Sequence, residues 1–419
     1  MVQIFRQRYG DLPAQEKNRI SRNHAKKQYR NPAHTSSGFG KWLPAGHLGQ
    51  GGEGVAAAWV CVNALGRIVD RVVIKQVMPG QAEFNSPQNW VNGNVGGIPR
   101  EYHNADLLRG ELEAIGDEAI RYMAYPRGYG QVSKRCFTYR LYSEYCAYGD
   151  LRTLINLQED HVPEPFIWHF LKSMLTSLEA MDNIDRIGMI HKDLQAGNVL
   201  MGDPNPHHYA FFPTPKIADF GSARMARGSL LKRRSRDQGG DGCCQPYAPP
   251  ELAGNGNWLV TRARSEAHHW LTCKTNIWQL GLLALCLVRG KCPPEETMWT
   301  VQPNPTLPLA QRLNFASNPA NGKREIDVEN DFIPERHHTY SPELMDMIRS
   351  MLRFQPRHRP TPQEALKTLE DALAADPGLI EGMDTYKPPK NRADWDDTHE
   401  HYLDVTENAQ SRRLGDIFG

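Results

Sequence analysis

Residues 187–200 read IGMIHKDLQAGNVL. Two short apolar runs flank a polar loop, His191-Lys192-Asp193-Leu194-Gln195-Ala196-Gly197-Asn198, in which an acid precedes an amide by five residues. An acid and an amide so spaced suit a proton acceptor for a hydroxyl and an oxygen ligand for a hard cation. Beyond it comes Lys216-Ile217-Ala218-Asp219-Phe220-Gly221, an acid at a sharp glycine turn after a β-type run. The two elements, in this order, offer a proton acceptor beside two candidate oxygen ligands for a hard cation.

Upstream, Leu48-Gly49-Gln50-Gly51-Gly52-Glu53-Gly54-Val55 is a G-x-G-x-x-G run between two β-like segments. Glycines there let backbone N–H groups approach phosphates without side-chain obstruction. A dinucleotide fold needs a helix directly after such a run, whereas another β-like run, 57–62, follows here. A third strand is expected over 68–77 and carries Lys75. Residues 81–97, rich in Gly, Asn and Pro, read as a loop. Pro99 opens a helix that stops near Gly116. On it Glu101 shares a face with Ala105, Leu108 and Leu112, and Glu111 lies four residues before Ile115.

Further on, 137–145 (FTYRLYSEY) reads as a strand that runs into a turn at Tyr148-Gly149-Asp150. From 151 to about 185 the pattern is helical, with Phe166, Phe170, Met174 and Leu178 four residues apart. Residues 201–214 are an inserted loop whose His207-His208 pair reads as solvated. A basic run, Leu231 to Arg236, precedes Tyr247-Ala248-Pro249-Pro250-Glu251. Residues 272–290 read as a largely buried helix, and 342–352 as another.

From about Gly49 to Leu369 the chain resembles the eukaryotic protein kinase superfamily, with all the motifs in order, and its inserted loops resemble divergent kinases of filamentous fungi. The resemblance implies an α+β, bilobal fold: a small β-rich N-lobe with one helix over 41–146 and a larger, mainly α C-lobe over 147–375. Residues 1–40 are expected to be a basic flexible arm, and 376–419 a C-terminal extension. In that family the glycine run, here Leu48, Gly49, Gly51, Gly54 and Val55, covers ATP, and Lys75, paired with a helix acid that is Glu101 here with Glu111 as its rival, holds its phosphates. The backbone at Glu144 and Cys146 would meet the adenine, with Ser143 as gatekeeper and Asp150 near the ribose. Ala56 stands where the family has valine. Asn198 and Asp219 would hold Mg²⁺, and Asp193 would be the base. Ser229 or Ser235 would be activation-loop phosphosites, and Arg359 would pair with Glu251. The implied activity is ATP-dependent phosphorylation of serine or threonine in proteins. The alternative is a pseudokinase acting as a nucleotide-binding or scaffolding module.

Four departures from the family pattern stand out, the second of them involving two positions. Lys192 replaces an arginine and loses its fork. Gln195 stands where serine/threonine kinases carry lysine, and Gly197 where tyrosine kinases carry arginine, so one stabilising charge is missing from the loop. Cys244 replaces a threonine facing Asp193, and Asn276 replaces an aspartate.

Composition sets the remaining bounds. A net charge of +1 gives no case for nucleic acid or an anionic membrane as partner. No apolar run approaches the roughly 20 residues of a membrane span. The start has no leader-like apolar run. The eight cysteines form no C-x-x-C pair and suit free thiols in a reducing compartment, cytoplasmic or nuclear. The Asp394–Glu400 run (DWDDTHE) reads as a solvated tail.

Overall fold

The β-like runs either side of the glycine stretch pair with each other, as their alternation demands. The computed structural model describes residues 11–26, 40–157, 162–205, 212–226, 247–249, 271–292, 340–353 and 356–380. The described residues divide into two compact units, one from residues up to 109 with 124–147, the other from 110–123 and from 148 onward.

In the first unit, β1 (Lys41–Gln50), β2 (Gly54–Val62) and β3 (Ile68–Val77) form a meander. With β4 (Pro126–Ser133) and β5 (Thr138–Ser143) they make a five-stranded antiparallel sheet in the order β1-β2-β3-β5-β4. β4 has no counterpart in the sequence reading. Its glycines, Gly128 and Gly130, suggest a turn, and its pairing comes from β5 rather than from its own propensity.

Period-two alternation gives the sheet two apolar faces. Ala57, Trp59, Val72, Ile74 and Tyr142 cluster on one. Val77, Phe84, Trp90, Tyr139 and Leu141 cluster with Tyr102 in another group. Arg127, fully buried, grips Asp70 through two parallel bonds of 2.8 and 2.7 Å, a planar fork against a carboxylate.

Two segments differ from the sequence reading. Within the stretch expected as a flexible arm, Ala14–Lys26 forms helix α1. Leu12 and Ile20 pack there with Val55 and Met78, enough apolar surface to hold it to the sheet. The 81–97 segment, read as a loop, is a folded insert. It holds a short helix α2 (Gln81–Phe84) and two 3₁₀ turns. Its anchor is Trp90, which is fully buried, sits edge-on to Phe84 and donates its indole N–H to the Phe84 carbonyl at 2.6 Å. Gly, Asn and Pro supply the turns, and two aromatics supply the core. Helix α3 (Arg100–Ile115) follows Pro99 and ends at Gly116, as its terminal signals require.

The second unit is mainly helical, in keeping with the α+β expectation. α4 (Leu151–Leu157) and α5 (Glu164–Asn183) lead to the short strand β6 (Met189–Ile190). Phe166, Phe170, Met174 and Leu178 of α5 form one fully buried stripe. Each is worth about 1.5–3 kcal/mol of apolar burial. β7 (Val199–Gly202) pairs with β8 (Thr214–Ile217), and β6 with β9 (Arg224–Met225). Then come α6 (Cys273–Arg289), α7 (Pro342–Met351) and α8 (Pro362–Ala375). α6 is buried all round, starts in a Thr272/Thr275 capping box and ends at Gly290 in the left-handed region. No described helix is long and apolar enough to cross a membrane.

Candidate functional site

The candidate residues of the first unit sit on β1, β2, β3 and α3. Lys75 on β3 lies opposite Ala56 and Leu141 in the sheet register. Its Nζ reaches Glu101 Oε1 on α3 at 2.7 Å, both groups being largely shielded from solvent. Glu101, rather than Glu111, is the acid brought to the lysine. The pair fixes a flexible ammonium in one place, which a phosphate-binding lysine needs.

Between β1 and β2, Gly51 N–H donates to the Gly54 carbonyl at 2.9 Å and closes the turn. The glycines differ in what requires them. A Cβ on Gly54 would stand 2.1 Å from the Gln76 carbonyl oxygen, so close strand packing demands glycine there. At Gly49 and Gly51 a Cβ would meet nothing within 4 Å. The fold itself leaves room for side chains at both, and glycine keeps that room open for a ligand. Leu48 beside them is exposed.

Val55, expected among the nucleotide contacts, is not brought to Lys75. It is buried against Leu12 and Met78, because Ala56, its neighbour, pairs with Lys75 and so takes the lysine's face. Ser143 ends β5, and Glu144 folds back on Tyr125. Its N–H donates to the Tyr125 carbonyl at 2.9 Å, and its carboxylate accepts from the Tyr125 N–H at 3.1 Å. The backbone carbonyl of Glu144 and the amide of buried Cys146 follow directly.

In the second unit the loop of residues 191–198 is tied down at each end. Asn198 Nδ2 donates to the Asp193 carbonyl at 2.7 Å and to Asp193 Oδ2 at 3.0 Å. Gln195 Nε2 donates to the same Oδ2 at 3.1 Å. The Asp193 carboxylate is thus held by two amides, in one rotamer. With its nitrogen committed to Asp193, Asn198 turns Oδ1 away as the atom a hard cation would take. Ala218 N–H donates to the Asn198 carbonyl at 2.9 Å, which links this loop to Asp219.

Asp219 is exposed, with positive φ, and accepts from Gly221 N–H at 3.3 Å. An amide oxygen and one carboxylate are a sparse oxygen set of the kind that could take Mg²⁺ once phosphates completed its shell. Among the described residues no cluster of three or more His, Cys, Asp or Glu offers a self-sufficient metal site.

Behind the loop, His191 is fully buried, its Nε2 bonded to the Ala218 carbonyl at 3.0 Å and its ring 5.1 Å from that of Phe220. Burial pushes its imidazole down to about 4, although Asp219 pulls the other way, so it acts as a neutral strut. Asn276 on α6 uses both ends of its amide. Oδ1 accepts from His191 N–H at 2.9 Å, and Nδ2 donates to the Met189 carbonyl at 3.1 Å. Gln279 holds the Lys192 carbonyl at 2.9 Å.

Asp150 does not point at open space alone: its Oδ1 accepts from Thr153 N–H at 2.7 Å and caps α4. Arg359, buried, bonds the carbonyls of Arg353 and Lys274 and lies over the Trp278 ring. Its expected partner Glu251 lies outside the described residues, as do Ser229, Ser235, Cys244, His207-His208 and Asp394 to Glu400.

Sequence reasoning missed one member of the site. Arg152 of α4 donates from Nη2 to Gln195 Oε1 at 3.0 Å. The G-D-L-R run after the turn is the only local signal, and nothing in it points to residue 195.

Set against models of known families, residues 129–369 match that of the protein kinase domain, over half of the chain. The match takes in Asp193, Asn198 and Asp219, and begins within β4, after Lys75 and Glu101.

Proposed function

The chain belongs to the protein kinase family, and from that premise we propose that it is an active kinase, passing the γ-phosphate of ATP to serine or threonine hydroxyls of proteins. The observation that carries the reading is the double clamp on Asp193 by Asn198 and Gln195. A carboxylate held in one orientation by two amide donors is built to take a proton from a bound hydroxyl.

Each chain residue has a task in this reading. Gly49 and Gly51 leave room for the phosphates, and Lys75, fixed by Glu101, binds their oxygens. Glu144 and Cys146 offer the adenine a carbonyl and an amide. Asn198 and Asp219 would hold Mg²⁺, which when bound neutralises charge on the phosphate oxygens. Asp193 orients the acceptor and removes its proton. Catalysis is positioning and charge stabilisation. Gly197, where tyrosine-specific members carry arginine, supports serine or threonine as acceptor. Among the described residues six cysteines are free thiols, three of them buried, which fits a cytoplasmic or nuclear setting.

The second reading, a pseudokinase that binds nucleotide without transfer, draws on the uncharged residues at 195 and 197. One assay separates the two: label transfer from γ-labelled ATP with Mg²⁺ to generic protein substrates and to the chain itself. Asp193→Asn is expected to remove transfer while ATP affinity stays within about threefold of the parent, since it alters the base and not the phosphate ligands. Asp219→Asn is expected to weaken Mg·ATP binding itself. Absence of transfer from the parent, or transfer that persists in Asp193→Asn, would favour the pseudokinase.

A further inference from the structure

After Lys192 the loop of residues 191–198 contains no basic side chain: positions 195 and 197 are Gln and Gly. Yet phosphoryl transfer collects negative charge beside Asp193. Donors or cations fixed at such a place are worth two to three decades of rate each. A cation arrives from another element. Arg152, in the first turn of α4, donates from Nη2 to Gln195 Oε1 at 3.0 Å. The same Nη2 lies 3.3 Å, and Cζ 3.7 Å, from the point where a Cβ on Gly197 would stand. Asp150 Oδ2 lies 4.0 Å from that point.

Gly197 has no positive φ, so the backbone does not require glycine there. What glycine provides is room: the guanidinium occupies the space that a side chain at 197 would fill. A guanidinium only donates, so it fixes Oε1 of Gln195 toward itself and turns Nε2 to Asp193. That Nε2 donates to Asp193 Oδ2 at 3.1 Å. Arg152, Gln195 and Asp193 are therefore one hydrogen-bonded row that ends on the base.

We propose that Arg152 is the cation of the catalytic loop: delivered from α4 instead of the loop, it sets its charge against the transferring phosphoryl group and, through Gln195, orients Asp193. The inference rests on the kinase reading above. In the step it serves, the acceptor oxygen bonds to the γ-phosphorus as the bond from that phosphorus to the β,γ-bridging oxygen breaks. ADP leaves with that electron pair, and the acceptor's proton passes to the Asp193 carboxylate.

The test is steady-state transfer from γ-labelled ATP by the full chain. Arg152→Gln is expected to lower kcat about a hundredfold, with KM for ATP within about threefold of the parent. Adding Gln195→Lys to that variant returns a charge from the loop side and is expected to recover about tenfold in kcat. A kcat equal to the parent's in Arg152→Gln would overturn the inference alone. So would a loss that falls on KM, or one that Gln195→Lys does not relieve, because each marks a structural role. If Arg152→Gln does not fold, Gln195→Lys by itself decides. It is expected to lower kcat at least threefold, as two like charges compete for one place and the Gln195 clamp on Asp193 is lost, and a rise would overturn the proposal. A parent chain that transfers no more label than Asp193→Asn would remove the kinase reading and this inference together.

Discussion

Asn276 shows what an amide does that a carboxylate cannot. It accepts from His191 N–H and donates to the Met189 carbonyl, both fully inside the second unit. The family resemblance implies aspartate at this position, but here aspartate would keep the first bond and lose the second, leaving a buried carbonyl facing a buried charge. Asn276→Asp is therefore expected to destabilise the unit by about 1–3 kcal/mol, read as a lower denaturation midpoint, even though it restores the family's residue. An unchanged midpoint would mean that the Met189 bond contributes nothing. At this scale the sequence was readable where chemistry and spacing coincide: Asp193, Asn198 and Asp219 stand out by type and interval. It was not readable where a residue acts through a neighbour brought by folding. Val55 looked like a nucleotide contact because it follows the glycines, but strand alternation hands that face to Ala56. Arg152 meets Gln195 from 43 positions earlier in the chain, and no local pattern records that meeting.

Among the elements, the insert between β3 and α3 was the least legible. Its Gly, Asn and Pro content is that of a loop, and it does make turns, but Trp90 and Phe84 give it a core shared with Val77, Tyr139 and Leu141. Such burial depends on strands far along the chain, which local composition does not see. Trp90→Ala is expected to cost the first unit about 3–5 kcal/mol through the cavity it leaves. Urea unfolding monitored by fluorescence would measure it. A cost below about 1 kcal/mol would mean that the insert is an appendage rather than part of the core. α5 and α6 were the opposite case. A four-residue apolar interval in one and an unbroken apolar run in the other announce a buried stripe and a buried cylinder before any contact is known. α1 fell between: one isoleucine and a preceding leucine were too few to show as a pattern, yet suffice to seat it.

Over the whole molecule, acid should act through a buried base as well as through surface charge. His169 on α5 is fully enclosed, beside Phe166 and Phe212, and burial pushes its imidazole down to about 3, helped by Lys172. An imidazole held neutral in the fold takes up a proton only after unfolding. Its stabilising contribution is complete above the unfolded value of 6.5 and is lost as pH falls below it toward 3. That is about 1.4 kcal/mol per pH unit for this one group. Unfolding free energy measured from pH 7 to pH 4 should decline accordingly, and the slope should shrink by about one proton in His169→Phe. An equal slope in the two proteins would assign the acid sensitivity elsewhere.

The seating of α1 bears on where the chain can be cut. The family match starts in β4, and a fragment begun there keeps β4 and β5 without β3, a bare hairpin too small to stand in water. A fragment begun at β1 keeps every strand, yet uncovers Val55 and Met78 by removing Leu12 and Ile20. Leu12 and helix α1, which look expendable on paper, are the wrapping that keeps Val55 and Met78 dry, and trimming them trades a tidy boundary for a sticky surface.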